Sequence, residues 1–501
     1  MRALLVTSAG VTCAMALTLP LATSATAAPA PDLHSASSRP PSTSPASPGA
    51  GPPAVRAGAA EPAGSTQSLP LAPLAASSDR VAGAPAAQGL PQRDARPFSL
   101  VGVVWDDPEA ELHGTVQVRT RTTGTTRWSE WQDVETHDAE HAADLGSAER
   151  EGRTVRGATA PLWVGDSDGV EVRVRPRSPE ASNHHEHAEP SDHRGSAQPQ
   201  DRAATPVPLP EGLRLELVDP GEDPAPEPAR SAPTGRVAAT PAVFADTPPT
   251  AAVLPEVLTA EVAAASAVNA ELAELGATAI PALTQKETLG SVNAVPGAKP
   301  YIGPRPKIIT RKGWGADEKL RERNFAYTKT VKAAFVHHSA TGNNYTCKQA
   351  PSVLRSIYRY HVKSSGWRDF GYNFAVDKCG NIYEGRAGGV SKAVLGAHTL
   401  GFNTNTMGIA VLGSYGSTNP PAAAVTAVSK LTAWKLGLFG ANPKGKVTLV
   451  SGGSNKYKAG VKVRMNVISG HRDGFATECP GARLYKKLGT ARTSSAKLQG
   501  R

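Results

Sequence analysis

Val331-Lys332-Ala333-Ala334-Phe335-Val336-His337-His338-Ser339 is the stretch on which the fold turns. An apolar run of strand length ends abruptly in two imidazoles and a hydroxyl, the pattern of a buried strand whose end delivers polar groups. Strand alternation sends His337 and His338 to opposite faces. A helix is predicted over 351–363, where Pro351 suits a first turn and Val353, Leu354, Ile357, Tyr358 and His361 recur at three- and four-residue steps. Further on, 370–376 and 381–384 read as paired strands joined at Lys378-Cys379-Gly380, 407–412 as another core strand, 422–439 as the longest helix and 481–488 as a shorter one. The alternation predicts a mixed α/β domain over 301–490, a central sheet flanked by helices, with 491–501 as a tail.

Working outward, the chain changes character. Residues 93–220 hold strand patterns at 99–105 and 114–119, at Val170, Val172 and Val174, and at Leu213, Leu215 and Leu217, with no convincing helix between them. An all-β, sandwich-like module follows from that reading. Its Trp128 and Trp163 are expected to fill a core rather than stack on sugars. Residues 181–205, carrying His184, His185, His187 and His193, read as a flexible insertion and not a metal site. Alanine, proline and serine dominate 28–92, read as a disordered spacer, and proline and alanine dominate 221–300, read as a linker with one possible helix at 257–275.

Residues 1–27 read as an export signal: Arg2, an apolar run, then Ala25-Thr26-Ala27. No second apolar stretch is long enough to span a bilayer, so a secreted or wall-associated protein is expected. Of four cysteines Cys13 leaves with the signal, and Cys347, Cys379 and Cys479 make an odd number for an oxidising compartment. Two can bridge and one needs another task. From 301 to 501 the net charge is +24 and before it −14. A module so cationic suits anionic envelope polymers, with attraction between the two parts as the alternative; nothing in the chain resembles a nucleic-acid recognition motif.

His471 and Cys479 sit in Gly470-His471-Arg472-Asp473-Gly474-Phe475-Ala476-Thr477-Glu478-Cys479-Pro480-Gly481. With His337 they offer two imidazoles and a thiolate, three ligands suited to zinc, leaving a fourth position for water.

The stretches 335–340, 366–374, 383–386, 396–398, 401–403 and 471–481 together resemble the peptidoglycan recognition protein and phage-lysozyme-type zinc amidase superfamily, over roughly 309–488. The chain is accordingly expected to be a bacterial, secreted, multidomain member. The resemblance implies an N-acetylmuramoyl-L-alanine amidase: one zinc held by His337, His471 and Cys479, and hydrolysis of the amide joining N-acetylmuramic acid to L-alanine in peptidoglycan. It implies catalytic roles for Tyr372, near the metal, and Thr477, two residues before the cysteine ligand. Trp367, Arg386, His398 and Asn403 fall on groove positions and are expected to contact substrate. Glu384 is expected to support the groove, and Ala410 stands where more distant amidases place a glutamate. Cys347 and Cys379 are then expected to form a disulfide; making either a further zinc ligand would close the open position. The alternative function is a non-catalytic peptidoglycan-binding or wall-adhesion protein.

Overall fold

Val170, Val172 and Val174 are buried on one face of strand Leu162–Pro176. That strand pairs antiparallel with Gln88–Trp105 on one side and Gly114–Thr122 on the other. Arg214–Asp219 adds to the far edge of Gln88–Trp105, burying Leu215 and Leu217. Eight strands form one sheet, and register shifts along the 18-residue strand Gln88–Trp105 let it bend round a core of Phe98, Val101, Val116, Val118 and Leu162. The computed structural model describes residues 64–74, 87–136, 141–147, 149–177, 207–224, 258–292 and 300–501. The expected export signal and the histidine-bearing insertion 181–205 lie outside them.

The second sheet is built on Ala333–His338, all six residues of which are buried. It runs parallel to Thr406–Val411 on one side and to Ile468–Gly470 on the other. Phe374–Val376, Ile382–Glu384, Ile308–Ile309 and Ala279–Ile280 extend the sheet to seven strands. Helix Ala422–Leu438 covers one face through Ala424, Val428, Leu431 and Trp434, which meet Val336, Ile409 and Val411 in one core. Helix Ala350–Arg359 covers the other through Val353, Leu354 and Ile357, against Ala410 and Leu412. An all-β module is therefore followed by a mixed α/β domain. Both lie in one compact unit, Glu61–Arg501. No helix among the described residues is long and apolar enough to cross a membrane.

The same second cluster joins the two modules. Leu100, Val104 and Trp163 of the β-module pack with Val353, Ile357 and Tyr360. The Tyr360 hydroxyl donates to the Thr159 carbonyl (3.0 Å), Arg355 Nε to the Pro220 carbonyl (3.0 Å) and Ser364 Oγ to Glu216 Oε2 (2.8 Å).

Several expected boundaries are corrected. The supposed spacer 28–92 contains strand Ser65–Pro70, paired residue by residue with Arg214–Asp219, and the start of Gln88–Trp105. Ser65–Pro70 is an edge strand held by its backbone ladder, so it needs no apolar period, and Pro70 at its end is tolerated there. The supposed linker 221–300 contributes Ala279–Ile280 to the amidase-side sheet, with Ile280 fully buried. Its helix is Ala260–Ala267, capped by Thr259 and much shorter than 257–275. The supposed tail is helix Leu488–Leu498, which buries Ala491 and Ala496; Ser495 Oγ donates to the Ser429 carbonyl (2.9 Å). Trp163 is in a core, whereas Trp128 is half-buried beneath Arg119 and Arg121.

Candidate metal centre

Two neighbouring strand ends and the loop that follows one of them converge on one point. His337 occupies the last turn of pleat in Ala333–His338, in register with Ala410 on the adjacent strand. Gly470, at the end of Ile468–Gly470, pairs with Val336 and hands the chain to His471, the first residue of the short helix His471–Gly474. The loop that follows returns Cys479, whose carbonyl accepts from Arg472 N (3.0 Å). His337, His471 and Cys479 are each almost wholly buried, and Cys479 Sγ lies 3.8 Å from His337 Nδ1.

A fourth side chain arrives from the β-module. His141 Nε2 lies 3.1 Å from His471 Nδ1, and one ligand atom from each of His141, His337, His471 and Cys479 falls within 4.8 Å of the others. A tetrahedral zinc with bonds of about 2.1 Å to nitrogen and 2.3 Å to sulfur spaces its ligands roughly 3.3–3.6 Å apart. Three imidazoles and one sulfur, buried and with no carboxylate among them, fit one zinc ion in composition and spacing. Burial, reinforced by the surrounding imidazoles of His471, His141 and His398, holds His337 far below its ordinary range, so it is neutral and able to ligate. Burial also pushes the Cys479 thiol up, while His141 works the other way; a bound dication favours the thiolate.

Tyr372 stands beside the cluster, its ring centroid 5.2 Å from that of His337 and 5.7 Å from that of His141. Its approach depends on Gly371: a Cβ there would lie 2.6 Å from the Trp367 ring and 2.7 Å from the Ala397 carbonyl. Gly371 N donates to His361 Nδ1 (3.2 Å), and burial keeps that imidazole neutral and able to accept. The loop is anchored by Asp369, which takes Arg311 Nη1 (3.1 Å) and Phe370 N (2.7 Å). Thr477 is half-buried, and its hydroxyl accepts from Cys479 N (3.1 Å). His338 turns to the other face, 3.4 Å from Glu135 and accepting from Tyr415 N. Cys347 and Cys379 are bridged, with Cα atoms 6.1 Å apart, and neither belongs to the cluster.

The four residues expected to contact substrate are enclosed in this structure. Trp367, Arg386, His398 and Asn403 are all buried. Trp367 stacks on His361 at 4.4 Å. Arg386 pairs with Glu149 of the β-module (2.7 Å), and Asn403 Nδ2 donates to Asp144 (2.7 Å) and the Ala142 carbonyl (3.0 Å). His398 is enclosed between Phe335 and the Thr399 hydroxyl, and burial drops its pKa to about 3. Glu384 is held by Asn269 Nδ2 (2.9 Å) and Arg311 N (3.3 Å), its pKa raised by burial to about 7. His141, Asp144 and Glu149 were not foreseen. The one signal was His137-Asp138-Ala139-Glu140-His141, a polar run with two histidines between predicted strands.

Two family models match the chain: N-acetylmuramoyl-L-alanine amidase over residues 327–482, and Rv3811 N-terminal galactose-binding domain-like over 53–205. Peptidoglycan-recognition protein SC2 of Drosophila simulans is 31% identical over 185 residues, covering 36% of this chain and 85% of that protein. The chain belongs to the peptidoglycan-recognition protein family. The human N-acetylmuramoyl-L-alanine amidase is 31% identical over 189 residues, 37% of this chain and 28% of that one. The solved structure of Drosophila PGRP-LB matches with a TM-score of 0.30 and 25% identity, over 36% of this chain and 92% of that chain. The similarity to animal peptidoglycan-recognition proteins corrects the expectation of a bacterial, phage-lysozyme-type member. The chain carries an amidase domain whose histidine and cysteine cluster is compatible with one catalytic zinc.

Proposed function

We propose that this domain hydrolyses the amide between N-acetylmuramic acid and L-alanine in peptidoglycan, with His337, His471 and Cys479 as the zinc ligands. The observation that carries the reading is the buried convergence of those three side chains beside Tyr372. The names of the relatives support the substrate: one is a peptidoglycan-recognition protein, another an N-acetylmuramoyl-L-alanine amidase. When bound, zinc supplies Lewis acidity and a water of lowered pKa.

The chain's own groups do the rest. Thr399 Oγ1, 3.4 Å from His337 Nε2, orients that imidazole from behind. Tyr372 donates its phenol proton as a hydrogen bond to the carbonyl oxygen, which gains negative charge as the amide carbon becomes tetrahedral. Thr477 accepts from the backbone N–H of Cys479 and so helps set the sulfur's position. The strongly basic stretch 301–501 favours anionic wall polymers, and residues 1–27 direct export, which places the protein outside the cell.

The test is digestion of a muramyl peptide by the full chain and by its His141→Ala variant, followed by mass spectrometry. Release of a peptide with a new L-alanine amino terminus is expected, lost with chelator and regained with zinc. Binding of the muramyl peptide without any such release, in zinc-replete protein of both forms, would replace this reading with a binding module.

A further inference from the structure

Hydrolysis needs one coordination position left for water. In this chain His141 sets a fourth donor atom within 4.8 Å of those of His337, His471 and Cys479. His141 belongs to the excursion between strands Gln132–Val134 and Gly157–Ala158 of the β-module. Residues 141–147 and 149–156 of that excursion lie across the amidase face. They contact residues that the family resemblance places in the groove.

Asp144 Oδ1 accepts from Gly401 N and Asn403 Nδ2, both at 2.7 Å. Glu149 pairs with Arg386, both side chains buried, and its carbonyl accepts from Arg368 Nε (2.8 Å). Arg153 Nη1 donates to the Trp367 carbonyl (3.3 Å) and Arg156 N to the Ser365 carbonyl (3.1 Å). Gly366, at φ +79°, admits the crossing chain: a Cβ there would lie 2.2 Å from the Thr154 carbonyl. Of the four residues that the family resemblance places in the groove, Trp367, Arg386 and Asn403 are bound directly by this excursion. His398 N is tied to it through Asn403 Oδ1 (2.7 Å).

We propose that residues 141–147 and 149–156 are an autoinhibitory strap, with His141 as the zinc ligand that keeps the amidase latent. The proposal rests on the zinc-amidase reading and adds its regulation. The strap is suited to release. Its grip is mainly hydrogen bonds and ion pairs, and Leu145, its largest apolar side chain, is 48% exposed. Such contacts exchange for water or for a polar ligand at low net cost, unlike an apolar core. The module itself is held separately through Trp163, Tyr360 and Arg355, so the strap can lift while the two domains stay joined. Both ends are tied to strands, which keeps His141 at high effective concentration and makes closure the resting state.

The experiment uses the full chain loaded with cobalt(II), with azide as the probe. Wild-type protein is expected to show four-coordinate visible absorption bands that azide leaves unchanged. In His141→Ala the bands shift on adding azide, because the opened position takes water and then the anion, and muramyl-peptide cleavage rises about tenfold or more. A second variant, Asp144→Ala with Glu149→Ala, keeps the histidine but loosens the strap; a partial azide response and intermediate cleavage are expected, with circular dichroism and melting confirming the fold. Azide shifts of equal size in wild type and both variants, with equal cleavage, would overturn the strap and leave the amidase reading standing. Loss of cobalt from His141→Ala alone would overturn latency and make His141 a constitutive ligand. Failure of every form to take cobalt would end the zinc reading, and the strap with it.

Discussion

His141 Nε2 lies 3.1 Å from His471 Nδ1, although the two residues belong to different domains. The contact makes the candidate metal centre a joint property of the two domains. His337 and His471 come from strand ends of one sheet and Cys479 from the loop that follows, whereas the fourth donor, His141, comes from the β-module that precedes it.

Tyr372 is the only phenol placed beside the cluster among the ring contacts of His337. Tyr372→Phe keeps the buried ring and removes the donor. Turnover of a muramyl peptide is expected to fall about 10²- to 10³-fold, with KM little changed. Steady-state kinetics check it, and a change confined to KM would make the tyrosine a binding group.

Thr399 Oγ1 sits 3.4 Å from His337 Nε2 and 3.0 Å from His398 Nδ1. Thr399→Val preserves shape and removes the polar contact behind the ligand. Zinc affinity, read by competition with a chelator, is expected to drop roughly ten- to a hundredfold.

Legibility in the sequence followed chain locality. His337 was readable because an apolar strand points at it, and His471 and Cys479 because one motif carries both, eight positions apart. His141 had no such neighbours: its role exists only once the β-module docks through Trp163 and Tyr360. The strand Ser65–Pro70 was missed for a related reason. Its pairing with Arg214–Asp219 uses backbone groups that leave no mark on side-chain pattern. Arg386 and Asn403 were expected at the groove from motif, but their pairing with Glu149 and Asp144 is tertiary information.

Glu384 is fully buried, and burial raises its pKa from the ordinary 4.5 to about 7. Because the folded state holds this proton more tightly than the unfolded chain, the carboxyl favours folding at low pH. That contribution is lost as pH rises from about 4.5 through 7. Glu384→Gln removes the titration. Urea unfolding across that range is expected to show wild-type stability falling relative to the variant by up to a few kcal/mol.

The Cys347–Cys379 bridge closes a loop of sequence separation 32 and lies outside the metal cluster. Replacing both cysteines with alanine is expected to cost roughly 3–4 kcal/mol of folding stability. Zinc stoichiometry should stay unchanged. Denaturant melts and metal analysis of the same sample separate the two effects.

X-ray absorption at the zinc edge of the full-length protein tests the centre itself. The account predicts one zinc per chain with a single sulfur at about 2.3 Å and nitrogens at about 2.0–2.1 Å, the sulfur vanishing in Cys479→Ala. A bound zinc whose shell contains no sulfur, or folded protein that takes up no zinc at all, would contradict it.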